Sequence, residues 1–140
     1  MVTPGGRGQL ERPWVRTIQA EADPRRVIEQ WLVTSRAIVD RIGPLMRVLR
    51  GAVSTDVEVA AQWKTNHDQT WAAYGFLVGL LVERGALRDG LGAERARDVA
   101  FVISYVEAYL QHTDVCGWTA DEWQQRTAAL LTGALLPPAA

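Results

Sequence analysis

The chain is poor in the side chains that covalent chemistry and metal binding use. It has one cysteine, Cys116, which excludes an internal disulfide and a cysteine zinc site and points to a cytoplasmic domain held by its core. Cys116 lies beside Gly117 in a loop and reads as a spectator thiol. There are two histidines, His67 and His112, and neither has Asp or Glu three residues before it, so the pairing that holds metals in helical bundles is missing. No GxGxxG, phosphate loop or HExxH motif is present, and no catalytic residue, metal or cofactor is expected. Long apolar runs are also absent: Phe76–Val82 is interrupted by Gly79 and far too short to span a bilayer. Nor is there an excess of positive charge. Fifteen basic and sixteen acidic residues leave a net of -1, against direct nucleic-acid contact by this chain. Lys64 is the one lysine, a bias towards Arg that fits genomic base composition.

What is present is apolar content and helical spacing. Hydrophobic residues make up 48% of 140 positions, enough for one folded domain. Residues 1–10, with three Gly and one Pro, read as a flexible tail, and 137–140 as a second. A short helical piece over 10–21 ends at Asp23-Pro24, a capping residue followed by a residue favoured in a first turn. Val27, Ile28, Trp31, Leu32, Ser35, Ile38, Val39 and Ile42 then form one stripe, predicting a helix over 24–42. Gly43-Pro44 breaks or sharply kinks it, and a short helix restarts near 44–53. Ser54-Thr55-Asp56 opens a long helix over 56–84, closed by Gly85. Two more follow, near 93–113 and 119–136, the last capped by Thr119 with Glu122 three residues on and stopped by Pro137-Pro138. No alternating strand pattern occurs. The fold class is all-α, a bundle of about five to six helices.

Six Trp against two Phe is the unusual feature. Trp63, His67, Trp71, Tyr74 and Val78 follow at steps of four, four, three and four, placing large rings with polar handles on one helix face. Trp31, Met46, Phe101 and Tyr105 can approach the same space. This pattern has two readings, a pocket for a mostly apolar small molecule or ordinary core packing.

The segments ERGALRDGLGAERARDVAFVIS (83–104) and VCGWTADEWQQRTAALLTGALL (115–136), with ERPWVRTIQAEADPRR and PLMRVLRGA before them, resemble the C-terminal regulatory domain of TetR-type transcriptional regulators. The resemblance spans residues 11–136, in front of which no helix-turn-helix is seen. It implies an effector cavity among the middle helices, with Trp63, His67, Trp71 and Tyr74 facing it. It also implies a homodimer in which the last two helices pair with their copies as a four-helix bundle. Val99, Ile103, Val106, Leu110, Trp123, Thr127, Leu130, Leu131 and Leu135 would then form the pairing surface. The expected function is effector binding and dimerisation. The alternatives are an interaction module that forms mixed dimers with a full-length regulator, and a small helical enzyme using His67 with Tyr74 or Asp68.

Overall fold

A computed structural model describes residues 12–139; the 1–10 tail, Leu10, Glu11 and Ala140 lie outside it. Among the described residues there are α-helices, one π-helical turn and no strand. No helix is long and apolar enough to cross a membrane.

Helix α1 spans Pro13–Ala20 and buries Val15 and Ile18. Helix α2 spans Pro24–Ala52, with the Asp23 side chain accepting a hydrogen bond from the Arg25 backbone N–H. Its 29 residues make a rod roughly 43 Å long. The helix does not end at Gly43-Pro44: α2 continues through both to Ala52. An internal proline costs about 3 kcal/mol, but Pro44 sits on the exposed face, while Val39, Gly43 and Met46 carry the buried stripe past it. Gly43 is a packing position, since a Cβ there would lie 3.5 Å from the Tyr109 ring.

Helix α3 spans Val57–Glu83, capped by the Asp56 carboxylate, which accepts from the backbone N–H groups of Glu58 and Val59. Its C-terminus closes as expected at Gly85, whose φ of 61° is left-handed. The Gly85 and Ala86 N–H groups bond the carbonyls of Val82 and Leu81, the paired closure of a Schellman motif.

Helix α4 spans Ala93–Ser104, nine residues short of the expected end at 113. Tyr105 is extended, with φ -65° and ψ 161°, and starts a one-turn helix α5 over Val106–Leu110. A π-helical turn, Gln111–Val115, follows and is closed by a hydrogen bond from the Cys116 N–H to the Gln111 carbonyl. Gly117, at φ 75°, reverses the chain into helix α6, Ala120–Leu135. Thr119 caps α6 by accepting from the Glu122 N–H, but the Glu122 carboxylate takes the Arg126 guanidinium rather than reaching back. Only half of the capping box forms.

Helix α6 buries Trp123, Thr127, Leu131 and Leu135 against α2 and α4. That corrects the expected pairing surface. Val106, Leu110, Trp123, Thr127, Leu131 and Leu135 are all buried inside the protomer, so they have no side-chain surface to offer a second copy. Val99 and Ile103 are partly buried against the core, and Leu130 alone of the nine is largely exposed, at 50%. The buried residues among them belong to the core of the protomer itself. Leu131→Ala is therefore expected to cost about 3 kcal/mol, because it leaves a cavity in a close-packed site. Leu130→Ala, one residue away, costs under about 1 kcal/mol. Urea denaturation of the two variants checks this, and equal losses would contradict the placement.

Candidate functional site

A cavity of about 120 Å³ lies between α2, α3 and the α4–α5 break, with Trp14 of α1 at one wall. Trp31 contributes from α2, Asn66, Thr70 and Tyr74 from α3, and Ser104 and Tyr105 from the break. Each helix brings these residues at three- or four-residue steps, so a single flank of α3, marked by positions 66, 70, 73 and 74, faces the space.

Rings and hydrogen bonds fix the walls. Trp31 meets Trp14 edge-on at 5.7 Å and Tyr74 at 5.2 Å between ring centroids. The Tyr74 hydroxyl lies 2.5 Å from Ser104 Oγ, which donates to the Ala100 carbonyl at 2.8 Å. Ser104 therefore accepts from Tyr74, and the phenol proton is committed. The Asn66 amide donates to the Tyr105 hydroxyl at 3.0 Å, and the Tyr105 ring stacks on Phe101 at 4.5 Å. Burial pushes the Tyr74 phenol up to about 12, and the Trp31 indole N–H that approaches it opposes the rise. Trp31 Nε1, on a residue 4% exposed, has almost no accessible surface of its own.

Of the eight expected ligand-binding residues, Trp31, Tyr74 and Tyr105 line the cavity. Met46, Trp63, His67, Trp71 and Phe101 do not. Met46 is buried further along α2. α4 packs on the aromatic face of α3, and Phe101 fills the space that the stripe was expected to enclose. Its ring lies 5.0 Å from His67, 5.2 Å from Trp71 and 5.6 Å from Tyr74. Trp63 packs half-buried against the core. Tyr74 and Tyr105 border both the Phe101 cluster and the cavity.

The Arg97 clamp was not foreseen. Its Nε and Nη2 donate to the Trp71 carbonyl at 3.1 and 2.6 Å, and its guanidinium lies 4.2 Å from the Trp71 ring centre, a cation–π contact. Gly75 admits it, since a Cβ there would stand 3.1 Å from the guanidinium carbon. A glycine inside a helix four residues after a Trp was the available signal.

No nucleophile with an adjacent base borders the cavity. His67 Nδ1 and Asp68 Oδ1 are 3.5 Å apart on an exposed surface, where Asp68 chiefly pairs with Lys64, lowering its pKa. Cys116 is exposed in the turn before α6. A larger space of about 850 Å³ runs along the outer side of α6, past Arg25, Val33, Ala129 and Gly133. It is an open groove, contains none of the expected ligand residues and presents no buried unpartnered polar atom.

No family model, no curated protein and no solved structure matches this chain.

All three tyrosines, Tyr74, Tyr105 and Tyr109, are raised above the ordinary phenol range, in each case mainly by burial. A phenol whose folded pKa exceeds its unfolded value of about 10 gives stability that is complete below that pH. The contribution falls as pH rises through the window from about 10 to about 12. The expected outcome is that absorbance at 295 nm shows phenolate only above pH 10, together with loss of the folded circular-dichroism signal. A tyrosine that ionises near pH 10 in the folded protein would contradict this.

Proposed function

We propose that this chain is an effector-binding and dimerisation domain of the TetR-type regulator class, taking a small, mostly apolar molecule in the cavity between α2, α3 and the α4–α5 break. The observation that carries the reading is that cavity, walled by the rings of Trp14, Trp31, Tyr74 and Tyr105 and edged with hydroxyl and amide groups. The all-helical architecture and the resemblance of residues 83–104 and 115–136 support the class. In such a domain a ligand acts by binding one arrangement of two subunits better than another.

Pairing through the last helices has to use what they leave exposed. Leu130 on α6 and Val102 on α4, 50% and 71% exposed, are the largest such side chains, with Val99 and Ile103 partly covered beside Val102. Sedimentation at micromolar concentration is expected to give a dimer, and a Val102→Glu, Leu130→Glu double variant a folded monomer. A monomeric parent overturns the pairing. For the cavity, apolar ligands are expected to quench Trp fluorescence saturably. Ala73→Leu, which projects a larger side chain into the cavity, is expected to abolish the response with less than a few degrees' change in melting temperature. If no member of a broad panel gives saturable quenching or a thermal shift, the effector reading fails.

The second reading, a module that pairs with a full-length regulator, needs only the exposed helix faces. It is favoured if the dimer forms and the cavity stays empty in these assays. A catalytic role for His67 has the least support, since His67 does not line the cavity and its contact with Asp68 is long and exposed.

A further inference from the structure

We infer that the cavity selects a small monocarboxylate, its compact apolar body against Trp31, Ile38 and Ala73 and its carboxylate at the mouth, on the guanidinium of Arg41. This rests on the effector-cavity reading and adds the chemistry of the ligand.

Three observations set that chemistry. The first is that polarity is graded along the cavity. Helices α2 and α3 form a hairpin and run antiparallel, and Trp31 meets Tyr74 across it. From that contact Arg41 lies further along α2 and Asn66 further back along α3, toward the same end. The rings of Trp14, Trp31 and Tyr74 wall one end, and Arg41, Asn66 and the Tyr105 hydroxyl mark the other. A long side chain on a helix leans toward the helix N-terminus, which carries the Arg41 guanidinium back over the space rather than away from it.

Free donors are the second. Arg41 makes no ion pair or hydrogen bond among the described residues, although most arginines that reach a neighbouring helix here do. The Tyr105 hydroxyl accepts from the Asn66 amide, which leaves its own proton to give. Thr17 and Thr113 turn their hydroxyls back to the carbonyls of Pro13 and Tyr109. Thr34, Ser35 and Thr70, all half-buried in the cavity lining, make no such bond and keep theirs for what enters. A carboxylate is acceptor-only and fits a set of donors that includes a guanidinium fork.

The third is what the lining leaves out. It contains no Asp or Glu. Asp40, next to Arg41, is turned to Arg36 and Tyr109, and Glu107, exposed on α5, stands outside the lining. An ammonium ligand would lose hydration beside a guanidinium with no counter-charge to replace it. Size then limits the apolar body. A void of about 150 Å³ holds one benzene, and this cavity is about 120 Å³. With the carboxylate at the open mouth, a single ring or a short branched chain is the upper limit without movement of the walls.

The test uses benzoate and benzamide, two probes of nearly one shape that differ in charge, titrated by ligand-observed NMR. Benzoate is expected to bind the parent more tightly, and raised ionic strength to weaken benzoate but not benzamide. Arg41→Gln, at an exposed position where folding is unaffected, is expected to weaken benzoate about ten-fold, the effect of one charge-assisted hydrogen bond, and to change benzamide less than two-fold. Ala73→Leu is expected to abolish both, which separates the cavity from a surface arginine that collects anions. Equal affinity of the two probes in the parent, equal weakening by Arg41→Gln, or benzoate binding that survives Ala73→Leu overturns the inference while leaving the cavity open to neutral molecules. Saturable binding of larger molecules with neither probe has the same meaning. Failure of every ligand, large or small, removes the effector reading as well.

Discussion

The stop of α4 at Tyr105 is the constraint on which the rest of the structure depends, because one residue in an extended conformation replaces a helix that would otherwise continue past the mouth of the cavity. Four contacts hold it. Ser104 turns its hydroxyl back to the Ala100 carbonyl and accepts from Tyr74, while Tyr105 stacks on Phe101 and receives the Asn66 amide. The backbone carbonyl of Tyr105 then accepts from the N–H groups of Ala108 and Tyr109, starting the new turn. Because of that redirection, Val106 points into the cavity wall, Tyr109 packs on Gly43 and Trp123, and α6 can lie between α2 and α4. A continuous helix would carry these residues to other faces.

Arginine does the complementary work at helix ends. Arg84 donates to the carbonyls of Gln19, in the last turn of α1, and Glu21, just beyond it, and Arg88 to the Gly133 carbonyl in the last turn of α6, groups at helix ends that lack a helical partner. Arg47 holds Asp114 through two hydrogen bonds of 2.8 and 2.9 Å, tying α2 to the π-helical turn and keeping the Asp114 carboxyl below its usual range. Arg36 links α2 to Asp121 at the start of α6. A guanidinium reaches several acceptors from one fork, which a lysine ammonium does with less directional control. The bias towards arginine, explicable by genome composition, is used here in packing.

Much of the fold was legible in the sequence because its punctuation is local. Asp23-Pro24, Asp56, Gly85, Gly117 and Thr119 each act within a few residues of the boundary they set, and all five do what their chemistry predicts. Pro44 and Tyr105 misled for one reason: tertiary contacts decide them. The buried stripe of α2 outweighs the proline, and hydrogen bonds to side chains on α3 stop a helix that has no Gly or Pro to mark its end. At the site, Trp31, Tyr74 and Tyr105 were readable from helical spacing. The rest of the aromatic face was misassigned because spacing gives the direction a residue points but not which helix covers it. Thr70 and Asn66, small polar residues one turn apart on α3, carry the cavity flank and were the weaker, correct signal.

The account therefore turns on the backbone at one position. Carbon-13 chemical shifts of the labelled protein, assigned from Ala93 to Val115, test it most directly. Extended values at Tyr105 flanked by helical values at Ser104 and Val106 are what the account predicts. Uninterrupted helical shifts from Ala93 through Leu110 would contradict it, and with it the cavity and the placement of α6.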